Sequence, residues 1–286
     1  MALHRCCGIT RRGLRCSITA ASRLTDDRGH LIGSPLQSGG SYCRLHAQPF
    51  CAVPADDLVG PAIVLLLDLE TTGVDVATDQ IVELAAYHAA SERHLGGAAF
   101  STVVKAGARD TAFHVHGIEA GEIAQGPAFG EAWARFVSFV EGLQRLSVPE
   151  PSDSEGEDGP VVLPQEVPTV ILAAHNGFRF DFAMLLFECA RHGCSGAPLE
   201  EWLFVDSLAI VQTVVAKLGG CAKLQCLVRG HCREGLQAHR ALDDCIALRA
   251  VLQHVADSLG ITLLDVLRPF IRKLDVNASL AQMSVL

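Results

Sequence analysis

Two carboxylates directly follow a long apolar run in the first third of the chain. Residues 62–67 read AIVLLL and are followed by Asp68 and Glu70, with Leu69 between them. A short, bounded apolar run that contains β-branched residues predicts a strand buried on both faces. Residues i and i+2 of a strand face the same side, roughly 6.6 Å apart, so Asp68 and Glu70 would point the same way. Such a pair suits a divalent cation, although the motif alone leaves open that the strand ends earlier and both carboxylates are solvated.

A third carboxylate, Asp181, stands at the start of a predicted helix. It follows the apolar stretch TVILAAHN at 169–176, which predicts another buried strand, and a short loop. Asp is among the preferred N-cap residues because its side chain accepts a hydrogen bond from an unpaired N–H of the first turn. Asp181 could therefore be a cap, a metal ligand, or both through different oxygens.

A fourth carboxylate falls on the apolar face of a predicted helix at residues 240–256. At about 100° per residue, Asp244 lies in the aliphatic stripe one turn before Leu248, whereas Asp243 falls to its side. A carboxylate in the core-facing row needs a partner, and a cation held by the first two carboxylates would supply one. His239 lies just before this helix, close enough to reach the same site, although a single histidine is more often a surface or satisfied core residue.

The elements that would position these residues alternate between strand-like and helix-like segments over about residues 62–256, which predicts an α/β domain. Further strands are predicted at 80–89 and 98–106, and further helices at 127–144 and 181–193. Residues 149–168 carry six acidic residues and no basic residue, which predicts a flexible surface insertion. The last thirty residues look helical, with an interruption at Pro269.

The order of these motifs resembles the DEDDh (DnaQ-like) family of 3′→5′ exonucleases. The motifs read Asp68-Leu-Glu70-Thr-Thr-Gly, His175-Asn-Gly-Phe-Arg-Phe-Asp181 and His239-Arg-Ala-Leu-Asp-Asp244, and VHGIEAGEI at 115–123 is similar to the family's His-Gly-Ile segment. The spacing from His175 to Asp181 resembles that of the three-prime repair exonucleases. The resemblance covers about residues 60–256 and implies a ribonuclease-H-like fold, a mixed five-stranded sheet flanked by helices. The expected domains are a small Cys/His module at 1–55, an exonuclease domain at 56–258 and a C-terminal helical tail at 259–286.

The resemblance implies a metal-dependent enzyme that hydrolyses phosphodiester bonds from the 3′ ends of DNA or RNA, with single strands favoured, and releases nucleoside 5′-monophosphates. The implied catalytic residues are His239 as general base and the metal-binding carboxylates Asp68, Glu70, Asp181 and Asp244. The carboxylates would hold two Mg²⁺ or Mn²⁺ ions about 3.5–4 Å apart, one activating a water and one stabilising the leaving oxygen. Thr71, His116 and Phe180 would hold the terminal nucleotide. The alternative is a non-catalytic nucleic-acid-binding or scaffold protein on the same fold, against which the complete set of carboxylates and His239 argues.

Residues 1–55 contain a second set of possible metal ligands. A Cys₃His zinc site would use Cys6, Cys16, Cys43 and His46, and Cys7 or Cys51 could substitute. A segment this short and polar can hardly fold on a core of its own, so a metal would give it a reason to be ordered. The alternative is a disordered basic arm with free thiols.

Charge and composition restrict where a nucleic acid could bind. The chain has 286 residues and a net charge of −9, yet residues 1–50 carry seven arginines against two aspartates, which leaves −14 on the remainder. An acidic body predicts that contacts with nucleic acid are local, through metals, a small groove or the basic N-terminal segment. Eleven cysteines without a recognisable secretory signal predict an intracellular, reducing compartment, and no apolar run is long enough to predict a membrane span.

Overall fold

The apolar run at 62–67 forms the centre of the longest strand in a mixed sheet. The computed structural model describes residues 50–53, 60–90, 98–107, 110–147, 166–215, 224, 227 and 240–275. The strands are β1 (Phe50–Ala52), β2 (Ala62–Thr71), β3 (Ile81–His88), β4 (Ala99–Val103), β5 (Thr169–Ala174), β6 (Leu203–Asp206) and β7 (Arg272–Leu274). The helices are α1 (Phe113–His116), α2 (Ala120–Gln125), α3 (Phe129–Leu146), α4 (Asp181–Arg191), α5 (Ala197–Glu201), α6 (Ser207–Val215), α7 (Ala241–Leu259) and α8 (Leu263–Leu267).

The seven described strands form one sheet in the order β1-β7-β6-β5-β2-β3-β4. Strand β2 is central, because it pairs antiparallel with β3 and parallel with β5. The predicted mixed sheet flanked by helices is therefore confirmed, with two strands more than the five expected. Each strand and helix predicted between residues 62 and 256 is present, and residues 149–165 of the predicted insertion lie outside the described residues.

The two additional strands, β1 and β7, lie together at one edge and correct two sequence predictions. The helical prediction for 263–274 holds for α8 but not for β7, which pairs antiparallel with β6 and β1. Proline has no N–H to continue a helix, and the chain passes through a 3₁₀ turn at Arg268–Phe270 before it becomes extended. Phe50 of β1 packs against Phe178 and Phe204, with ring centroids 4.7 and 5.0 Å apart. Residues 50–52 thus belong to this sheet and not to a separate N-terminal module.

Alternate residues of β2 enter two different cores, because successive side chains of a strand point to opposite faces. Leu65, Leu67 and Leu69 lie in a core with side chains of α3 and α4. Leu66 lies in a second core with side chains of α7 and α8. Asp68 has the same parity as Leu66, so it faces the α7 side of the sheet, and so does the next carboxylate along the strand.

The described helices are those of a layered α/β fold. None of them alone has the length and apolar content to cross a membrane, and the bent pair Ala241–Leu259 with Leu263–Phe270 reaches that threshold on length and composition only. Helix α7 covers β2 and β3, and its buried face includes Leu248, Val251 and Leu252. This packing brings the first turn of α7 to the end of β2 where the two carboxylates lie.

Candidate active site

Three carboxylates meet at the end of β2. Oxygen atoms of Asp68, Glu70 and Asp244 all lie within 4.8 Å of one another, a spacing that could hold a metal ion. Asp68 and Glu70 come from β2, and Asp244 comes from the first turn of α7 above the same face. The neighbouring Asp243 is not in this group. The pKa of Arg240 is raised first by its hydrogen bond to Glu83, and the charge of Asp243 adds a little to this.

A change of register directly follows the second carboxylate. Glu70 pairs with Glu83 of β3, but the next residue, Thr71, pairs with Ile81, so Val82 is an extra residue on β3. Such a bulge bends a strand and redirects the side chains beside it, and bulges are common next to active sites. The bulge separates the regular strand that carries the carboxylates from the loop that follows it.

Asp181 approaches the same end of β2 from the other side. It is the first residue of α4, and Phe180 occupies the N-cap position, so Asp181 is not the cap residue itself. Its side chain is 3% exposed and accepts a hydrogen bond from the backbone N–H of Leu69. This contact is possible because β5 pairs with β2 only as far as Leu66, which leaves the edge at Leu69 beyond the reach of β5. Asp181 is not in the compact group of three carboxylates.

Burial and mutual repulsion raise the pKa values of this cluster. Burial raises the pKa of Asp68 well above its usual range, and among its neighbours the charge of Asp181 adds most. Burial, followed by the charge of Asp244, raises the pKa of Glu70 to about 8. Burial also raises the pKa of Asp181 to about 7. A bound divalent cation would reverse this repulsion, and a donor set made only of carboxylate oxygens suits Mg²⁺ or Mn²⁺.

A fifth carboxylate, Asp206, holds the loop that leads to Asp181. Its Oδ1 accepts hydrogen bonds from the N–H groups of Asn176 and Leu208, both at 2.9 Å. Asn176 has a φ of 66°, a left-handed conformation that asparagine tolerates better than most residues. Asp206 was not among the residues predicted from the sequence, although it ends a short apolar strand, as Asp68 follows an apolar run.

His116 has both ring nitrogens engaged in the protein. Its side chain is fully buried, its Nδ1 accepts a hydrogen bond from the Ile118 N–H at 3.0 Å, and its Nε2 lies 3.3 Å from Asp110. The N–H and hydroxyl of Thr111 both donate to the Thr72 carbonyl, at 2.8 and 2.9 Å. The segment 110–118 is therefore fixed against the loop after β2.

The two other residues predicted to contact substrate are sequence neighbours of the carboxylates, since Thr71 follows Glu70 and Phe180 precedes Asp181. Thr71 is 6% exposed, and its hydroxyl donates to the Gly73 carbonyl at 2.6 Å. Phe180 is half-buried and packs against the core beneath α4. The predicted general base His239 and the predicted zinc ligands lie outside the described residues; the latter are Cys6, Cys16, Cys43 and His46.

A family model and two curated proteins are similar to this chain in sequence. A model of the RNase_T family, described as exonuclease, matches residues 65–148. The chain is 30% identical over 235 residues to Exonuclease DPD1, chloroplastic/mitochondrial, of Arabidopsis thaliana, which covers 79% of this chain and 66% of that protein. It is 31% identical over 153 residues to a DNA polymerase III subunit epsilon-like protein of Rhodobacter capsulatus, which covers 46% of this chain and 21% of that protein. The chain thus spans just under two thirds of the first relative and about a fifth of the second.

Solved structures share the fold at lower sequence identity. The cell-death related nuclease 4 (CRN-4) superposes with a TM-score of 0.51 at 14% identity, over 70% of this chain and 65% of that chain. The zinc-bound Escherichia coli ExoI–ssDNA complex also has a TM-score of 0.51, at 18% identity, over 72% of this chain and 42% of that chain. At these identities the likeness establishes the fold alone.

Proposed function

Since residues 65–148 match the RNase_T family of exonucleases, we propose that the chain is a metal-dependent 3′→5′ exonuclease. It would hydrolyse phosphodiester bonds from the 3′ end of DNA or RNA and release nucleoside 5′-monophosphates. The observation that carries the proposal is the group formed by Asp68, Glu70 and Asp244, whose oxygens lie within 4.8 Å of one another at the end of β2. A group of like charges that is at least half-buried is costly, so its presence favours a function that needs a cation there.

The carboxylates are proposed to hold two Mg²⁺ or Mn²⁺ ions. The ligands would be Asp68, Glu70, Asp181 and Asp244. Such ions, when bound, lower the pKa of a coordinated water and stabilise the charge on the leaving oxygen. The chain itself contributes carboxylates from both faces of one sheet, on elements packed firmly enough to keep the ligand oxygens close together. Asp68 would link the two sides, because it lies in the group with Asp244 and because, after burial, the charge of Asp181 raises its pKa most.

His239 is proposed as the general base that takes the proton from the attacking water. In the sequence it directly precedes Arg240, the N-cap residue of the helix whose first turn carries Asp244. An imidazole with an ordinary pKa near 6.5 is suited to accept a proton at neutral pH.

The 3′-terminal nucleotide would lie between Thr71 and Phe180. We propose that His116 contributes by fixing the backbone of its segment, since both of its ring nitrogens already have partners. The exposed ring of Phe113 would offer a surface on which a base of a single strand can stack, and exposed Val74, on the segment that Thr111 joins to it, would add an apolar contact.

The N-terminal segment would add a positively charged contact for the nucleic acid. The proposed zinc ligands are Cys6, Cys16, Cys43 and His46. Purified protein should contain about one zinc per chain that is lost on Cys43→Ser, as expected for a Cys₃His site. Protein without zinc, or zinc content unaffected by the substitution, would exclude this site.

End-labelled substrates test the proposed activity. Single- and double-stranded DNA and RNA, labelled at either end, are incubated with Mg²⁺ and with a chelator. We expect the 3′-labelled substrate to release its label at once as mononucleotide. The 5′-labelled substrate should become shorter one nucleotide at a time, and neither should be cleaved in the presence of the chelator. Asp244→Asn should abolish the activity, whereas the matched control Asp243→Asn should retain it. Internal cleavage, metal-independent cleavage, or equal activities of the two variants would contradict the proposal.

A further inference from the structure

We propose that Glu83 and Arg240 form a positioning pair that fixes the first turn of α7 and thereby sets Asp244 against the carboxylates of β2. Glu83 lies on β3 and is 2% exposed, whereas Arg240 directly precedes α7. Neither residue belongs to the compact group of possible metal ligands. The inference rests on the proposed function in so far as it assigns the pair a consequence for the exonuclease reaction.

The ion pair between the two residues uses both oxygens of the carboxylate. Arg240 Nη2 lies 2.8 Å from Oε1 of Glu83, and Nε lies 3.3 and 3.2 Å from Oε1 and Oε2. Arginine holds a carboxylate with fixed geometry through its planar fork of donors, which a single ammonium cannot do. Arg240 Nη2 also lies 3.6 Å from Glu122 of α2. The guanidinium therefore connects α7 with β3 and α2.

Glu83 also caps the helix. Arg240 is the N-cap residue, in an extended conformation with φ −121° and ψ 125°, and its own side chain makes no capping hydrogen bond. The N–H of Ala241 instead donates to Oε2 of Glu83 at 3.0 Å. A carboxylate at a helix N-terminus satisfies an otherwise unpaired donor and interacts favourably with the helix dipole. The start of α7 is thus fixed by a residue of the sheet.

The pairing of β3 with β2 places the contacts of α7 opposite the two carboxylates of β2. Glu83 lies directly opposite Glu70, and Ala85 lies directly opposite Asp68. The thiol of Cys245, the residue after Asp244, donates to the Ala85 carbonyl at 3.5 Å. Helix α7 therefore contacts β3 just before and just after Asp244, at positions that match the two carboxylates of β2.

The same contacts argue that Glu83 is not itself a metal ligand. Both of its oxygens already accept hydrogen bonds. Oε1 accepts from the guanidinium and, at 3.5 Å, from the Ser101 hydroxyl, and Oε2 accepts from the guanidinium and the Ala241 N–H. Removal of either partner would leave a buried charge or donor without its contact, and the first turn of α7 would shift or loosen. A shift of about 1 Å in a catalytic group can lower a rate by about 10²-fold.

Conservative variants of the pair provide the test. Glu83→Gln removes the charge, and Arg240→Lys keeps the charge but loses the fork. The controls are Glu131→Gln and Arg135→Lys, which alter an exposed Glu–Arg pair on α3. Mn²⁺ affinity is measured by calorimetry on the full chain, and kcat and KM are measured on a labelled single strand.

We expect both variants of the pair to weaken Mn²⁺ binding by about 10–100-fold, the range typical of residues that orient metal ligands. The kcat should fall by a similar factor with KM nearly unchanged, and both controls should match the wild type. Wild-type Mn²⁺ affinity and kcat in both variants would overturn the proposal. Weaker Mn²⁺ binding in Glu83→Gln alone would overturn it too, because it would mark Glu83 as a ligand.

Two further outcomes are also decisive. If Glu83→Gln does not fold, as judged by its thermal transition, Arg240→Lys decides alone on the same measurements. If the wild-type protein binds Mn²⁺ but cleaves no nucleic acid, the proposed function fails, whereas the Mn²⁺ affinities still decide whether the pair positions Asp244.

Discussion

Helices α4 and α7 each bring one carboxylate to the end of β2, but from opposite faces of the sheet and by different means. Asp244 of α7 lies in the compact group with Asp68 and Glu70, on a helix attached to β3. Asp181 of α4 lies at the end of a loop and is held by the N–H of Leu69. Asp244 takes its position from the attachment of α7 to the sheet, whereas Asp181 depends on the loop before α4 and on the Leu69 N–H.

The largest expected loss of rate follows substitution of Asp68, which is proposed to link the carboxylate of α4 with that of α7. Asp68→Asn should lower the single-turnover rate by more than His239→Ala, for which a general base predicts about 10²–10⁴-fold. The reason is that Asp68 is proposed to contact both metal ions, whereas His239 would only accept a proton.

The pH profile provides the control for this comparison. The wild-type rate should rise as an unperturbed imidazole loses its proton at about pH 6–7, and this rise should be absent in His239→Ala. If His239→Ala cleaves at the wild-type rate under single-turnover conditions, His239 is not the base, although the carboxylate site could still stand.

The next prediction compares the contributions of α7 and α4 to metal affinity. In calorimetric titrations Asp244→Asn should weaken Mn²⁺ binding more than Asp181→Asn, because only Asp244 belongs to the compact group. As a direct ligand, Asp244 should exceed the about 10–100-fold effect of residues that merely orient ligands. A larger loss of affinity in Asp181→Asn would reverse the assigned roles of the two helices.

A smaller effect tests the loop that positions Asp181. A Cβ on Gly177 would lie 2.7 Å from both the Ala174 Cβ and the Phe182 ring, so Gly177→Ala should lower the unfolding free energy by about 1–3 kcal/mol. Gly142 in α3 has nothing within 4 Å of such a Cβ, so Gly142→Ala should raise it by about 0.5–1 kcal/mol. Both values come from denaturant unfolding, and equal effects would show that the loop tolerates the extra methyl group.

A separate expectation, for stability alone, concerns the pH dependence of unfolding in the metal-free protein. The pKa of Glu70 is raised to about 8 and that of Asp181 to about 7, both above the values of an unfolded chain near 4. Between these limits the folded state binds more protons than the unfolded state, so the unfolding free energy should fall from about pH 4 to about pH 8. Denaturant unfolding with chelator should show this fall, and Mg²⁺ should reduce it. A rise over the same range would contradict the raised pKa values.

Local periodicity accounts for the parts of the site that lie within regular elements. Alternation along β2 places Asp68 and Glu70 on one face, and helical periodicity distinguishes Asp244 from Asp243; in the structure Asp244 lies beside the first two carboxylates. The role of His239 as base stays a prediction.

Contacts between distant segments account for what the sequence did not predict. Glu83 is 157 residues from Arg240, and Asp206 is 30 residues from Asn176, so no local pattern relates them. Strand β7 was missed for the same reason, because three residues become a strand only through pairing with β1 and β6.

Anomalous diffraction from crystals with Mn²⁺ and a nucleoside 5′-monophosphate tests the central claim most directly. The claim is that carboxylates from both faces of the sheet share one two-metal site. We expect two manganese peaks at the end of β2, with ligands that include Asp244 from α7 and Asp181 from α4. A single peak contacted only by Asp68, Glu70 and Asp244, with Asp181 still bonded to the Leu69 N–H, would contradict it.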